Sequence, residues 1–297
     1  MLKNFSKRDL AFISVVVAAL IGGATPVFIK IAVSEIPPLS FTFLRFLFSS
    51  ILVLPFFLRE KSKIKGNILS IVPLSLLATA NVTLFAFGVN LTTASIGQML
   101  YVTVPIIAAI LSYFFLKEKI TSKKVLGVAL GFSGALIIIA LPLIGTSAFS
   151  GNLAGNLIVF TGVLSFSTYT VFSKKAQKIY SPLSINAAFF FTTAIVSFLL
   201  LLLAGFNSNV VWWNSLSTMA IIATSYVVVV STFIFFLLYQ YAIKHGTPLI
   251  ASTINYIQVV ATLGWAFVLL GEQLTAGFIL GAILVSAGAW IISRAKV

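Results

Sequence analysis

Ten stretches of about twenty mostly apolar residues run through this chain, each closed by a cluster of charge, proline, glycine or asparagine. They fall at about 9–32, 39–58, 67–90, 94–116, 123–143, 153–175, 183–204, 216–242, 248–270 and 275–293. A helix of that length crosses the roughly 30 Å hydrocarbon core of a bilayer with its backbone hydrogen bonds closed internally. Composition agrees, since 60% of the residues are hydrophobic and only 8% are charged, against roughly 25% in a soluble domain. The first run follows Lys3, Lys7 and Arg8 as a signal peptide would. It is too long for a signal core and lacks a clear small-residue cleavage site, so it reads as a span.

The net charge of +14 would suggest nucleic acid in a soluble protein, but here position decides. With the N-terminus in the cytoplasm, seventeen of the nineteen Lys and Arg fall on the inner side, and the other two, Lys30 and Arg45, lie inside spans. Segregation of this kind follows the positive-inside rule and sets both termini in the cytoplasm of a cell-membrane protein. The charge is then a topology signal and an attraction to anionic lipid, with no nucleic-acid partner required.

Other chemistries are short of parts. There is no Cys and only one His, so thiolate and His-rich metal sites are excluded and no cofactor is expected. No G-x-x-x-x-G-K-[ST] occurs, which excludes a nucleotide-driven pump within the chain. A membrane transferase would need a concentrated acidic or His site at one face, such as paired Asp on Mg²⁺, and Asp9 is the lone Asp. The chain therefore reads as a non-enzyme.

Self-comparison shows a hidden repeat. VFIKIAVSEIPPLS at 27–40 matches VFSKKAQKIYSPLS at 171–184, an offset of 144. LKEKIT at 116–121 matches LGEQLT at 270–275, and the following spans share Gly127/Gly281, Leu130/Leu284, Gly134/Gly288 and Ala135/Ala289, an offset of 154. The extra residues fit the 205–216 loop. Residues 1–144 and 145–297 thus hold five spans each, and an odd number makes the halves cross the membrane in opposite senses. The expected architecture is all-α and integral to the membrane, with ten transmembrane helices as two inverted five-helix repeats. Such a repeat lets one fold open to either side around a midplane site by exchanging the conformations of its halves.

These features resemble the drug/metabolite transporter superfamily, in particular the EamA-type ten-helix permeases. The resemblance rests on Gly23, Thr25, Pro26, Phe28 and Lys30 in the first span, Pro38 through Arg45 entering the second, Ala94 and Ser95 opening the fourth, and the repeated L-x-E-x-[IL]-T. It implies a central cavity lined mainly by spans 1, 3, 4, 6, 8 and 9, with spans 5 and 10 as scaffold, and small metabolites such as amino acids as cargo, often exported.

Candidate residues follow from the cost of polar groups in lipid. A charged side chain inside a span costs about 2.5–3.5 kcal/mol on insertion scales, so each needs a partner or a wet cavity. Arg45 is either an electropositive element that draws carboxylate-bearing solutes or a structural Arg capping carbonyls or pairing with Glu35. Lys30 either snorkels to the interface or belongs to the pathway or its gate. The expected substrate-binding wall is Asn81 in span 3, Gln98 and Tyr101 in span 4, Tyr169 in span 6, Tyr239 and Gln240 in span 8, and Asn255 and Gln258 in span 9. Thr168, Tyr256 and Trp265 are further candidates near it. Tyr101 maps onto Asn255 at the 154 offset, which sets two polar groups at similar depth in the two halves. Interhelical hydrogen bonding, at roughly 0.6 kcal/mol per pair in membranes, is the structural alternative for each residue.

Pro26 and Pro105 are the hinge candidates, because a proline frees a carbonyl within a helix. Gly127, Gly131 and Gly134, with Gly277, Gly281 and Gly288, form small-residue faces that either brace the two halves or meet a second protomer, leaving monomer and homodimer both open. All five acids lie at span ends or in loops, where Glu118 and Glu272 fit turns. The expectation is therefore a secondary transporter, an exporter or a facilitator, moving a neutral or zwitterionic small-molecule substrate down its gradient by alternating access. A proton-coupled antiporter is the alternative, and a passive channel or flippase a weaker one.

Overall fold

A computed structural model describes residues 7–60, 66–116, 121–144, 150–204, 212–245 and 254–294. The described residues are helical, with no strand among them. Helices α1 (Lys7–Gly22) and α2 (Thr25–Glu35) make the first span, α3 (Pro38–Glu60) the second and α4 (Val72–Leu91) the third. The fourth span is split into α5 (Ala94–Tyr101) and α6 (Val104–Leu116), and the fifth is α7 (Ser122–Ile144). Then come α8 (Leu153–Ala176) and α9 (Pro182–Leu203). The eighth span runs through α10 (Thr218–Tyr226), a π-helical segment (Val227–Ile234) and α11 (Phe235–His245). The last two are α12 (Ile254–Leu270) and α13 (Ala276–Arg294).

Seven of these spans are long and apolar enough to cross a membrane by themselves, and shorter apolar helices stand at the fifth, ninth and tenth positions. Together they form the all-α membrane fold of ten helices in two five-helix repeats.

Local chemistry explains where the helices begin. Thr93, Asn152, Ser181 and Ser217 each accept a backbone N–H of the first turn, from Ile96, Gly155, Ser184 and Ala220 respectively, at 3.1–3.2 Å. Proline stands in the first turn of α2, α4 and α9, where no intrahelical donor is lost. The two split spans break at Gly23–Ala24 and Val102–Thr103, two residues before Pro26 and Pro105. The freed groups are taken up locally: Thr262 donates to the Gly23 carbonyl at 2.5 Å and Thr103 to that of Leu100 at 2.6 Å.

Packing repeats across the halves. Helix α4 lies along α8, and in the mirrored relation α11 lies along α1. The pairs α3 with α9 and α7 with α13 join spans that are each other's repeat counterparts. Close approach demands glycine at the tightest crossings. A Cβ on Gly134 would sit 2.6 Å from the Gly281 carbonyl oxygen and 2.7 Å from the Val285 nitrogen, and one on Gly288 would meet the Gly131 Cα at 2.8 Å. Gly134 and Gly281, and Gly288 with Gly127 and Gly131, therefore meet each other across spans 5 and 10 within one chain. The opposite faces of these helices carry exposed Leu126, Leu136, Leu280 and Ile283, as a lipid-facing surface does.

Candidate functional site

Residues beside both helix breaks, Gly22 and Thr25 at the first and Tyr101 at the second, line one central cavity with about 590 Å³ of empty space, part of it open to the outside. Gly22, Thr25, Pro26 and Ile29 line it from the first span, Gln98 and Tyr101 from α5, and Asn81, Val82 and Phe85 from α4. The second half contributes Phe166 from α8, Ser231, Phe235 and Phe236 from the eighth span, and Ile254, Asn255 and Gln258 from α12. Arg45 of α3 completes the wall and is the one charged residue in it among those described.

Arg45 is 4% exposed. Its Nε donates to the Thr232 hydroxyl at 2.6 Å, and its guanidinium carbon lies 5.1 Å from the Phe46 ring centre. No other side chain or carbonyl among the described residues accepts from its terminal nitrogens. Glu35, offered by the sequence as a partner, is engaged elsewhere: its carboxylate accepts from the Ser217 backbone at 2.8 Å and hydroxyl at 2.6 Å. That pair caps α10.

The segment that receives Arg45 is the π-helical one. Thr232 donates to the Val227 carbonyl five residues back at 2.7 Å, and Ser49 donates to the Val228 carbonyl at 3.2 Å. Widening the helix turns Ser231 and Thr232 toward α2 and α3, and Thr25 donates to Ser231 at 2.8 Å. Interruptions of this kind are frequent at functional sites. Asn81 ties the far wall together by donating to the Tyr101 hydroxyl and, at 2.9 Å, to the Gly162 carbonyl. The Gln98 side-chain nitrogen is buried without a partner.

Seven residues expected from the sequence thus surround one cavity: Pro26, Arg45, Asn81, Gln98, Tyr101, Asn255 and Gln258. Three others do not line it. Tyr169, Tyr239 and Gln240 are fully buried beneath it, on the side of the basic loops. Gln240 donates to Tyr169 at 2.5 Å and to Ser173 at 3.3 Å, Gln177 donates to the Gln240 side-chain oxygen at 2.5 Å, and Tyr239 pairs with Thr170 at 2.9 Å. Phe166 stacks on Tyr239 at 5.3 Å and separates this plug from the cavity. Their polarity serves interhelical hydrogen bonding.

Trp265 is 43% exposed, away from the cavity, and Thr168 spends its hydroxyl on the Leu164 carbonyl of its own helix. The side chain of Tyr256 and all of Glu118 lie outside the described residues. Pro105 is buried at the α5–α6 break but outside the cavity wall.

Lys30 does not snorkel. Its ammonium donates to the carbonyls of Val89 at 2.9 Å, Asn90 at 3.5 Å and Thr92, so it caps the C-terminus of α4, where the helix dipole favours a cation. Lys174, its repeat counterpart, caps α11 at the other end of the molecule through the carbonyls of Ile243 at 2.8 Å and Lys244 at 3.0 Å. Val89 and Asn90 map onto Ile243 and Lys244 at the 154 offset, so the two caps are the same interaction inverted.

Glu272 closes the Lys30 end further. Its oxygens accept the backbone N–H groups of Ala94 at 2.8 Å and Ser95 at 3.0 Å, at the positive end of α5. Gly271 allows the reach, since its φ of +62° turns the chain through a region closed to most side chains. The sequence marked Glu272 as part of a turn but did not show its partner helix. It also missed the aromatic wall of Phe85, Phe166, Phe235 and Phe236, because 28 Phe spread over every span hide four that matter.

The EamA-like transporter family model matches twice, at residues 9–140 and 153–294. The chain belongs to the EamA-like transporter family. It is a multi-pass membrane protein, and its family is described as one of transporters. The chain is 30% identical over 188 residues to the uncharacterized transporter YetK of Bacillus subtilis, a match covering 61% of this chain and 56% of that one. An uncharacterized transporter of Clostridium kluyveri is 24% identical over 254 residues, covering 83% of this chain and 80% of that protein. The matched stretch spans between about two fifths and three fifths of the three Bacillus subtilis relatives YetK, YyaM and YoaV. A solved structure described as "Crystal structure of protein" superposes with a TM-score of 0.67 over 96% of each chain at 18% identity, a likeness of fold.

Proposed function

We propose that this EamA-like chain is a secondary carrier of small organic metabolites, amino acids among the candidates, that exposes its central cavity alternately to the two sides of the cell membrane. The observation that carries the reading is one polar cavity built from both halves, with the same inverted lysine cap on a helix end of each half. Breaking one cap while keeping the other opens one side at a time, as an inverted repeat permits. The positive-inside rule applied to the basic loops supports termini in the cytoplasm.

Transport in this reading is facilitated diffusion or exchange. A proton-coupled antiporter stores its proton on a carboxylate in the pathway. Among the described acids, Glu272 is spent on the N-terminus of α5 and Glu35 on that of α10, and neither lines the cavity. A channel would need a polar stripe open through the molecule, whereas the stack of Phe166 on Tyr239 lies below this cavity.

Counterflow tests the reading. Proteoliposomes preloaded with a mixture of unlabelled amino and 2-oxo acids should transiently accumulate a labelled member of that mixture above its external concentration. Uptake that only equilibrates, with no stimulation by internal solute, would indicate a channel. Dependence of all flux on an imposed pH gradient would establish the antiporter.

A further inference from the structure

The cavity has a charge that nothing in it balances. Arg45 stays protonated under any cellular condition, because a guanidinium does not give up its proton in proteins. A buried cation is tolerable when a counter-charge or a full set of acceptors meets it. Among the described residues Nε has the Thr232 hydroxyl as its acceptor, no further acceptor meets the guanidinium, and no acid stands in the wall.

Donors are in surplus on the same side. The Gln98 side-chain nitrogen, on a residue 4% exposed, is unpartnered, and the first turn of α2 faces the cavity at Thr25 and Pro26 with the positive end of its helix. Among the described residues of the wall the acceptors that could meet an ammonium are uncharged, the amide oxygens of Asn81, Gln98, Asn255 and Gln258 among them. The carbonyls of Met99 and Leu100, which end α5 beside the cavity, already receive the Val102 and Thr103 backbone, and Leu100 receives the Thr103 hydroxyl as well. Beside these polar groups the wall is aromatic, with Phe85 and Phe166 against the Tyr101 ring and Phe235 and Phe236 from the eighth span.

Resting on the carrier reading above, we infer that the preferred solute is an organic monocarboxylate with a flat apolar body, bound through its carboxylate to Arg45 and moved as an anion. A zwitterionic amino acid brings the same carboxylate but leaves the site with a net positive charge in a low-dielectric interior, so it is the weaker ligand. Direction follows from the charge. A negative-inside membrane potential expels an anion, sustaining about a fiftyfold outward gradient per 100 mV for one charge. A passive carrier of this kind is an exporter with no ion coupling.

Three probes that share one body and differ in charge decide it: phenylpyruvate, phenylalanine and phenethylamine, each labelled inside proteoliposomes of the full chain, with the potential clamped by potassium and valinomycin. Phenylpyruvate should leave at least tenfold faster than phenylalanine, faster at inside-negative than at zero potential, with phenethylamine slowest. Arg45→Gln should erase the preference for phenylpyruvate, and Arg45→Lys, which keeps the charge, should retain it in part, both assayed as monodisperse protein. If phenylalanine exchanges as fast as phenylpyruvate or faster, with no response to potential, the monoanion inference falls and the carrier reading stands. An unchanged preference in a folded Arg45→Gln protein also overturns the inference. If none of the three moves faster than through protein-free vesicles, both fall.

Discussion

Lys30 and Lys174 occupy equivalent places in the two halves and perform the same act at opposite ends of the molecule, each capping the helix that its own half supplies. Arg45 and its equivalent at the 144 offset, Phe189, could hardly differ more. Arg45 carries the cavity's charge, while Phe189 is fully buried in an aromatic stack, 5.0 Å from both Phe46 and Phe236. The first span breaks at Gly23–Ala24 where α8 runs unbroken, and the eighth span widens into a π-helix where α4 does not. Scaffold and lysine caps keep the symmetry that the proposed exchange of two states needs. The site has lost it, as it must, because a single asymmetric solute cannot satisfy two identical halves.

Breaking the scaffold should have the largest effect. Gly134→Leu drives a side chain into the backbone at Gly281 and Val285, where there is no flexible atom to yield. Overpacking generally costs about 1–3 kcal/mol and more against rigid neighbours. The expected outcome is loss of most monodisperse protein in detergent-solubilised size-exclusion profiles, with Leu136→Ala on the lipid-facing side of the same helix as the unaffected control.

Breaking the caps should have a smaller and graded effect. Lys30→Met frees two part-buried carbonyls, those of Val89 and Thr92, and Lys174→Met one, that of Ile243, and an unsatisfied buried polar group costs up to about 1–3 kcal/mol. Thermal unfolding in detergent should therefore drop for both variants, further for Lys30→Met. In the proposed cycle each cap holds one end shut, so the two variants should shift the resting carrier in opposite directions. Reagents that modify cysteines placed in the cavity, in a chain that has none of its own, should react faster from the freed side in each case. A shift toward the same side in both would break the symmetry argument.

Much of this was legible before any coordinates. Apolar length and cation placement fix ten spans, and the matched Lys, Pro, Gly and Glu positions disclose the repeat, because those residue types are costly or specific in lipid. Seven of the expected site residues share one cavity for the same reason. Tyr169, Tyr239 and Gln240 stand outside the cavity wall, and a polar side chain satisfied by a neighbouring helix looks, in sequence, the same as one facing a solute. Glu272 illustrates another limit: its partner amides lie 177 and 178 residues away, and a backbone N–H has no signature in the sequence. The π-helical segment, a run of Val, Ser, Thr, Phe and Ile, has no periodicity that separates it from an ordinary helix.

Alternating access at the two capped ends is the central claim, and paired spin labels measure it directly. Ser34 with Asn90 at one end, and Lys178 with Lys244 at the other, are repeat-equivalent pairs, all four exposed, in a chain without native cysteine. Double-cysteine variants of each pair, labelled in liposomes and measured by electron–electron double resonance with and without transported solute, report the two distances. The account predicts opposite changes, one distance growing as the other shrinks. Two distances that widen together, or that both stay fixed while solute is transported, would contradict it.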